Sequence, residues 1–418
     1  MPKLLFDHTL DLLADPYRYI ARQCRRRQVD GFQDRLLGRR TLCLTGARAA
    51  ELFYDARYFE RRGAAPEPLQ ATLFGKGALQ GLDGHAHRIR KTLFMSMMGP
   101  ASLASLASWL ELGWTQCARQ WPHHGRFSLY QAVQPVLARA ACNWIGISVS
   151  DEMLPRCTRW LVSMYDDAAS PGWRHLRARW SRHRAERWLT EVVRQARAKP
   201  ATASPSWLTM FSLLEDEQGR LLSPRLAAVE LLNVLRPLVA VAVFVVFAAH
   251  AMALRPQWRA RLKDDDERML DAFVQEVRRH YPFFPMAVAR ARRSFQWEGL
   301  QISKGQRAVL DLYGTNHDSR VWRHPELFQP ERFLGQEPTA FQFIPQGGGQ
   351  HLDGHRCPGE APTVLIMKSA IRFLTWVEYS VPPQNLRIDL KRLPALPVGG
   401  MEIEQVHVAL HERLVQVA

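Results

Sequence analysis

The 418-residue chain is 47% hydrophobic, which excludes a disordered protein and allows a core large enough for two domains or one unusually big one. Its formal net charge of +16 suits a nucleic acid, a membrane surface or a small acidic substrate, and selects none of them. The six cysteines, at positions 24, 43, 117, 142, 157 and 357, form no CxxC pair and no disulfide-like spacing, as expected for a reducing compartment.

The opening segment MPKLLFDHTLDLLADPYRYI interrupts its apolar residues with Asp7, His8 and Asp11. It therefore reads as neither a signal peptide nor a membrane anchor, and a cytoplasmic protein is expected. Arginines cluster at Arg25-Arg26-Arg27, at Arg61-Arg62 and from Arg174 to Arg187, the last run interleaved with Trp180 and flanked by Trp173 and Trp188. These runs read as solvated faces, and no recognisable nucleic-acid motif accompanies them.

Apolar residues at three-to-four spacing predict helices over 103–116, 129–145, 180–198, 224–254, 267–281 and 361–377. Short β-like stretches are sparse, at 41–45, 295–302, 308–311 and 402–410. No repeat or low-complexity linker divides the chain, so residues 1–418 are read as one mainly α unit with small peripheral sheets. Within the fourth helix, Leu231 to Ala249 approaches the ~20 apolar residues that span a bilayer. Arg236 and Pro237 sit inside it, and a mid-helix cation is costly in lipid, so a buried core helix is expected and no membrane anchor.

From Asp311 to Cys357 the sequence turns irregular and rich in Pro, Gly, His and Gln, a length that is usually functional. It ends in Phe343-Ile344-Pro345-Gln346-Gly347-Gly348-Gly349, then Gly354-His355-Arg356-Cys357-Pro358-Gly359-Glu360 ahead of the last helix. A glycine-rich loop thus delivers a cysteine to a helix N-terminus, where free amides favour a thiolate and glycines admit a flat, bulky group. Taken alone, the loop fits an inert cysteine or a phosphate loop as well as a metal ligand. Two further features accompany it: Glu276 and Arg279, at i and i+3 on one helix face, and Arg332 in Pro330-Glu331-Arg332-Phe333.

The ordered set of all three resembles the cytochrome P450 superfamily. The resemblance implies its mostly helical fold, a haem b with Cys357 as proximal thiolate, and Glu276, Arg279 and Arg332 as a structural ion network. One departure is His355, at a position usually held by arginine. By similarity, the candidate propionate partners are Arg61, His87, Lys91 and His355, each of which is equally readable as an ordinary surface cation.

The distal helix of most members carries an acidic residue followed by threonine, and here Arg236-Pro237 stands in that place. A proline inside a helix disrupts it, and a buried arginine needs a partner. That partner is either an internal carboxylate such as Glu230 or a carboxylate brought by the substrate.

Arg236-Pro237, together with Leu73-Phe74-Gly75 to Asp83-Gly84, Tyr281 to Pro285 and Asp311-Leu312-Tyr313-Gly314, is similar to the bacterial fatty-acid peroxygenase subfamily. This likeness implies hydrogen peroxide as oxidant with no obligatory redox partner. The fatty acid's carboxylate, held by Arg236, would serve as general acid-base, and hydroxylation would fall at the alpha or beta carbon. Phe74, Phe283 and Phe284 are candidates for the apolar channel or for plain core packing. Gln80 aligns with the residue that is glutamine in hydroxylases and histidine in a decarboxylating member. Terminal-alkene formation, a reductase-dependent monooxygenase, a haem sensor and a basic nucleic-acid binder are the alternatives.

Overall fold

The computed structural model describes residues 6–199, 206–264, 266–335 and 337–408. The first five residues of the N-terminal segment and residues 409 and 410 of the expected last strand lie outside them. The architecture follows from one rod. Residues Ala242 to Met252 are all buried, and a helix that is apolar on every side must sit inside other helices. Around the rod Pro224–Leu254 pack Leu129–Ile145, Leu154–Asp166, Trp173–Ala198, Glu267–His280 and Glu360–Trp376. It is the one helix among the described residues that is long and apolar enough to cross a membrane, and it is largely buried in the protein.

The disruption expected at Pro237 falls one turn later. The helix runs unbroken from Pro224 to Ala240 and tightens at Val241, whose N–H is shared between the carbonyls of Pro237 (3.2 Å) and Leu238 (3.3 Å). Two other expectations shift. The arginine-rich helix begins at Trp173 rather than Trp180, and residues 295–302 form a two-stranded hairpin rather than one strand. The turn there is Glu298-Gly299, both at positive φ (47° and 75°), the conformation that matches the twist of paired strands.

The main sheet has the order Gly31–Leu36, Arg39–Leu44, Arg307–Asp311, Met286–Ala291, Phe59–Glu60. Its parallel pair sets Leu42 opposite Ala308 and Leu44 opposite Leu310, over a satellite core with Phe53, Phe59 and Ile344. At its end, Asp311 caps the next helix by accepting from Gly314 N (2.6 Å) and also accepts from Ala21 N (3.1 Å). A side chain at Gly314 would collide with that carboxylate and with Ala21, which explains the Asp311-to-Gly314 sequence.

Among its described residues, the irregular stretch after Asp311 holds two short helical turns, Leu312–Asn316 and Pro330–Phe333. Charge holds it in place. Arg279 and Glu276 are fully buried and paired at 2.7 Å, and Arg279 also donates to the carbonyls of Asn316 (3.0 Å) and Pro325 (2.9 Å). Glu276 accepts from Gln329 N at 2.8 Å. Arg332 Nε lies 3.2 Å from the same carboxylate, within ion-pair distance though not aligned for a hydrogen bond. Removing one member leaves an uncompensated interior charge. Arg279→Ala is therefore expected to lower stability by roughly 3–5 kcal/mol, read as the midpoint of chemical unfolding of the haem-loaded protein. A shift below about 1 kcal/mol would show that the pair is not holding the loop.

Candidate active site

The glycine loop is anchored at both ends. Ile344 N donates to Asn316 Oδ1 (2.9 Å) and Cys357 N donates to Gln346 O (3.2 Å). At Gly348 a Cβ would lie 2.5 Å from the Ala340 carbonyl and 2.7 Å from Ile344, so only glycine lets the loop fold this tightly. Cys357 is part-buried just ahead of the helix Glu360–Trp376. Burial pushes its thiol up and Glu360 adds to that, while Gly359 N–H, Lys91 and Arg278 pull the other way without prevailing. Glu360 in turn is held by Arg278 (2.7 Å) and Arg356 (2.6 Å), which more than offset its burial and keep it ionised. Nothing in the local sequence signals this role of Glu360, because Arg278 lies 82 positions away.

The four basic residues expected from the sequence gather near this loop, and Asp83 touches two of them, Arg61 and His355. Asp83 accepts from the backbone N–H groups of Arg61 (2.9 Å) and Arg62 (2.8 Å), and its Oδ1 lies 3.3 Å from His355 Nε2. The His355 ring lies 4.2 Å from that of His87, and Lys91 donates to the Arg356 carbonyl. The Arg61 guanidinium is buried over Phe53 at 4.4 Å. Burial lowers His87 to about 3, with His355 and Lys91 adding to the effect. Burial likewise lowers Lys91 to about 8 against the pull of Cys357. Arg61 and His355 are depressed for the same reason. Burial thus keeps the two histidines towards their neutral form, while Arg61 and Lys91 remain the cations here, and the carboxylates that a haem b carries would give this group further partners.

On the distal side Arg236 is 6% exposed, and Cys357 is near enough to favour its charge. Nη2 reaches Asn233 Oδ1 at 3.4 Å, and the buried Nη1 has no partner. Burial lowers Arg236 to about 9, and the neighbouring Arg182 contributes. The candidate internal partner is ruled out: Glu230 is taken by Arg90 Nη1 (2.6 Å), Leu79 N (3.0 Å) and Asn233 Nδ2 (3.4 Å). No carboxylate among the described residues pairs with Arg236. Gln80, next to Leu79, likewise leaves its buried Oε1 without a partner.

The aromatic candidates separate. Phe74 closes a π-helical turn, Gln70–Phe74, whose last carbonyls accept from Arg182, which is buried although the arginine run it belongs to was expected to be a solvated face. Phe283 packs on Phe244 at 4.4 Å. Phe284 packs on Phe283 and is 37% exposed.

These residues fit the haem that the resemblance implies. No cluster of three or more His, Cys, Asp or Glu residues could enclose a metal among the described residues. A single sulfur donor suits an iron whose remaining ligands come from a porphyrin and a small molecule. Cys357→Ala is expected to abolish the thiolate signature in the carbonyl spectrum of the reduced protein; a variant that keeps it would place the ligand elsewhere.

Comparison with known proteins agrees. The family model for cytochrome P450 matches residues 265–372. Vinorine hydroxylase of Rauvolfia serpentina is 31% identical over 34% of this chain, a match spanning only 32% of that enzyme. Among solved structures, a mutant of cytochrome P450SP alpha (CYP152B1) is 44% identical with a TM-score of 0.94, covering 97% of this chain and 100% of that one. Cytochrome P450EX alpha (CYP152N1), solved with myristic acid, is 38% identical with a TM-score of 0.91, covering 96% and 98%.

Proposed function

Because the chain belongs to the cytochrome P450 family, in the branch that holds P450SP alpha and P450EX alpha, we propose that it hydroxylates long-chain fatty acids at the alpha or beta carbon with hydrogen peroxide. It is a haem-thiolate oxidoreductase with the family's fold, and its cofactor is haem b. We assign Cys357 as the iron's ligand and Arg61, His87, Lys91 and His355 as propionate partners. The six cysteines are all free, and the one bilayer-length helix among the described residues is a core helix, features that suit a cytoplasmic enzyme.

The observation that carries the reading is the unpartnered, buried Arg236 Nη1, whose charge no internal acid meets. A guanidinium in this state favours a planar carboxylate that can take both of its outer nitrogens. When bound, the haem supplies the iron that activates peroxide and oxidises a C–H bond. Arg236 supplies orientation: it fixes the acid's head group, so only the first carbons of the chain reach the oxidising centre. It also holds the substrate carboxylate where that group exchanges a proton with peroxide, the task of the acid-threonine pair that Arg236-Pro237 replaces. Asn233 steadies the guanidinium from one turn back. Glu230 ties Asn233 to Leu79, and so to the segment carrying Gln80. Phe74 and Phe283 border the path of the acyl chain.

The test is haem-loaded protein with peroxide and a long-chain fatty acid, without reductase, and products identified by mass spectrometry. Hydroxy acids at carbon two or three are expected. Terminal alkenes as the main product would overturn hydroxylation, and a strict need for NAD(P)H and an electron donor would overturn peroxide use. Arg236→Ala is expected to keep its haem and to lose turnover by on the order of hundreds-fold, as for one buried charge-assisted pair. Asn233→Ala is expected to raise KM for the acid roughly five-fold, one ordinary hydrogen bond, and to change the ratio of the two hydroxy products. Unaltered KM and product ratio would remove Asn233 from this role.

A further inference from the structure

The helix Trp173–Ala198 carries the arginine run that the proposed reaction does not use. Its first two turns are unusual for a solvated face. Trp173, Leu176 and Trp180 are 66%, 65% and 54% exposed, and their spacing of three and four sets them in one outward stripe. Cations line it: Arg177 lies over the Trp173 ring at 4.7 Å and Arg184 over Trp180 at 4.9 Å. Arg174 and Arg177 are fastened to the buried carboxylate of Asp167 at 2.9 and 2.7 Å, which braces the base of the stripe. Arg184 and Arg187 are exposed and have no carboxylate partner among the described residues.

We propose that this stripe is a docking surface for an anionic phospholipid bilayer. Indole rings and leucine gain from the boundary between headgroups and acyl chains, and free guanidinium groups gain from the phosphates above it. One surface of this chain offers both, on a protein of net charge +16. A nucleic acid would meet the arginines, but Leu176 between the two tryptophans gives it neither a stacking face nor a charge. A second copy of the chain would set arginine against arginine.

The placement ties the stripe to the distal segment. One turn along the helix, Arg182 points inward and donates to the carbonyls of Thr72, Leu73 and Phe74, and Arg179 reaches Glu67. A bilayer touching Trp173, Leu176 and Trp180 therefore lies beside the turn that ends at Phe74. Entry of a fatty acid from the lipid side rests on the proposed function; docking does not.

The experiment is co-flotation of haem-loaded full-length protein with vesicles of phosphatidylcholine alone or mixed with phosphatidylglycerol, with tryptophan emission recorded. The expected result is partition onto the anionic vesicles, roughly ten-fold or more above the neutral ones, with a blue shift in emission. The W173A/L176A/W180A variant is expected to lose most of that partition, with its haem spectrum and its turnover of a water-soluble fatty acid unchanged. Equal flotation of this variant would mean that overall charge alone is responsible, and would overturn the proposal. Absence of partition onto anionic vesicles would do the same, as would duplex DNA stripping the protein from them. Partition and its loss in the variant, together with no fatty-acid turnover, would keep the docking surface and remove the fatty-acid reading.

Discussion

The buried pair Glu276–Arg279 is the interaction on which the position of the proposed active site depends. The segment that delivers Cys357 has almost no regular secondary structure to hold it, and its backbone polar groups must still be met. Arg279 and Glu276 meet several of them at once, through Asn316, Pro325 and Gln329. Asn316 then passes the constraint on, since its side chain receives Ile344 N at the start of the glycine loop. A helix face is thereby linked through two residues to the backbone that presents the sulfur. An apolar contact could not do this, because it has no direction.

Buried basic groups gather in the interior beyond that loop. Arg61, His87, Lys91, His355 and Arg236 are all depressed by burial, with Asp83 beside Arg61 and His355 and with Glu360 and Asp353 acting on Lys91. Elsewhere the chain balances its buried cations well, as in Arg90 with Glu230, Arg278 with Glu360 and Arg182 with Glu186. Burial also depresses His280 and His317, which lie away from this region. Its two ends, the cluster around Asp83 and the lone Arg236, suit two anionic ligands of different kinds, one carrying a pair of carboxylates and one carrying a single carboxylate.

Most helices of the core were legible because their inward faces are apolar. The helix Gly84–Ser96 was missed for a physical reason. Its buried positions are His87, Arg90, Lys91 and Phe94, a perfect helical spacing written mostly in cations, which a hydrophobic pattern reads as solvent-facing. The helix Leu154–Asp166 hides in the same way behind Cys157, Thr158 and Ser163. The strand Met286–Ala291 is written largely in alanine, and Gly31–Leu36 buries Asp34 against the Tyr19 hydroxyl. At the site, single residues with unusual chemistry stood out, namely Cys357 and Arg236. Asp83 and Arg182 did not, because they act through contacts between segments far apart in sequence, which spacing cannot reveal, and Asn233, though three residues from Arg236 on the same helix, is an ordinary polar residue until the buried contact is seen.

The line of side chains from Arg90 through Glu230 and Asn233 to Arg236 has a consequence for redesign. Replacing Arg236 and Pro237 by an acidic residue and threonine would change two letters on one helix. The new acid would then stand one turn from Asn233, whose amide already leans on Glu230, and Glu230 is matched by a cation from the helix Gly84–Ser96. Two acids would then stand close together in a buried region, where Arg90 already pairs with Glu230 and Arg182 is the other cation in reach. Changing the oxidant supply of this protein is for that reason a task for two helices at once, in which the cation at position 90 has to be redesigned together with the pair at 236 and 237.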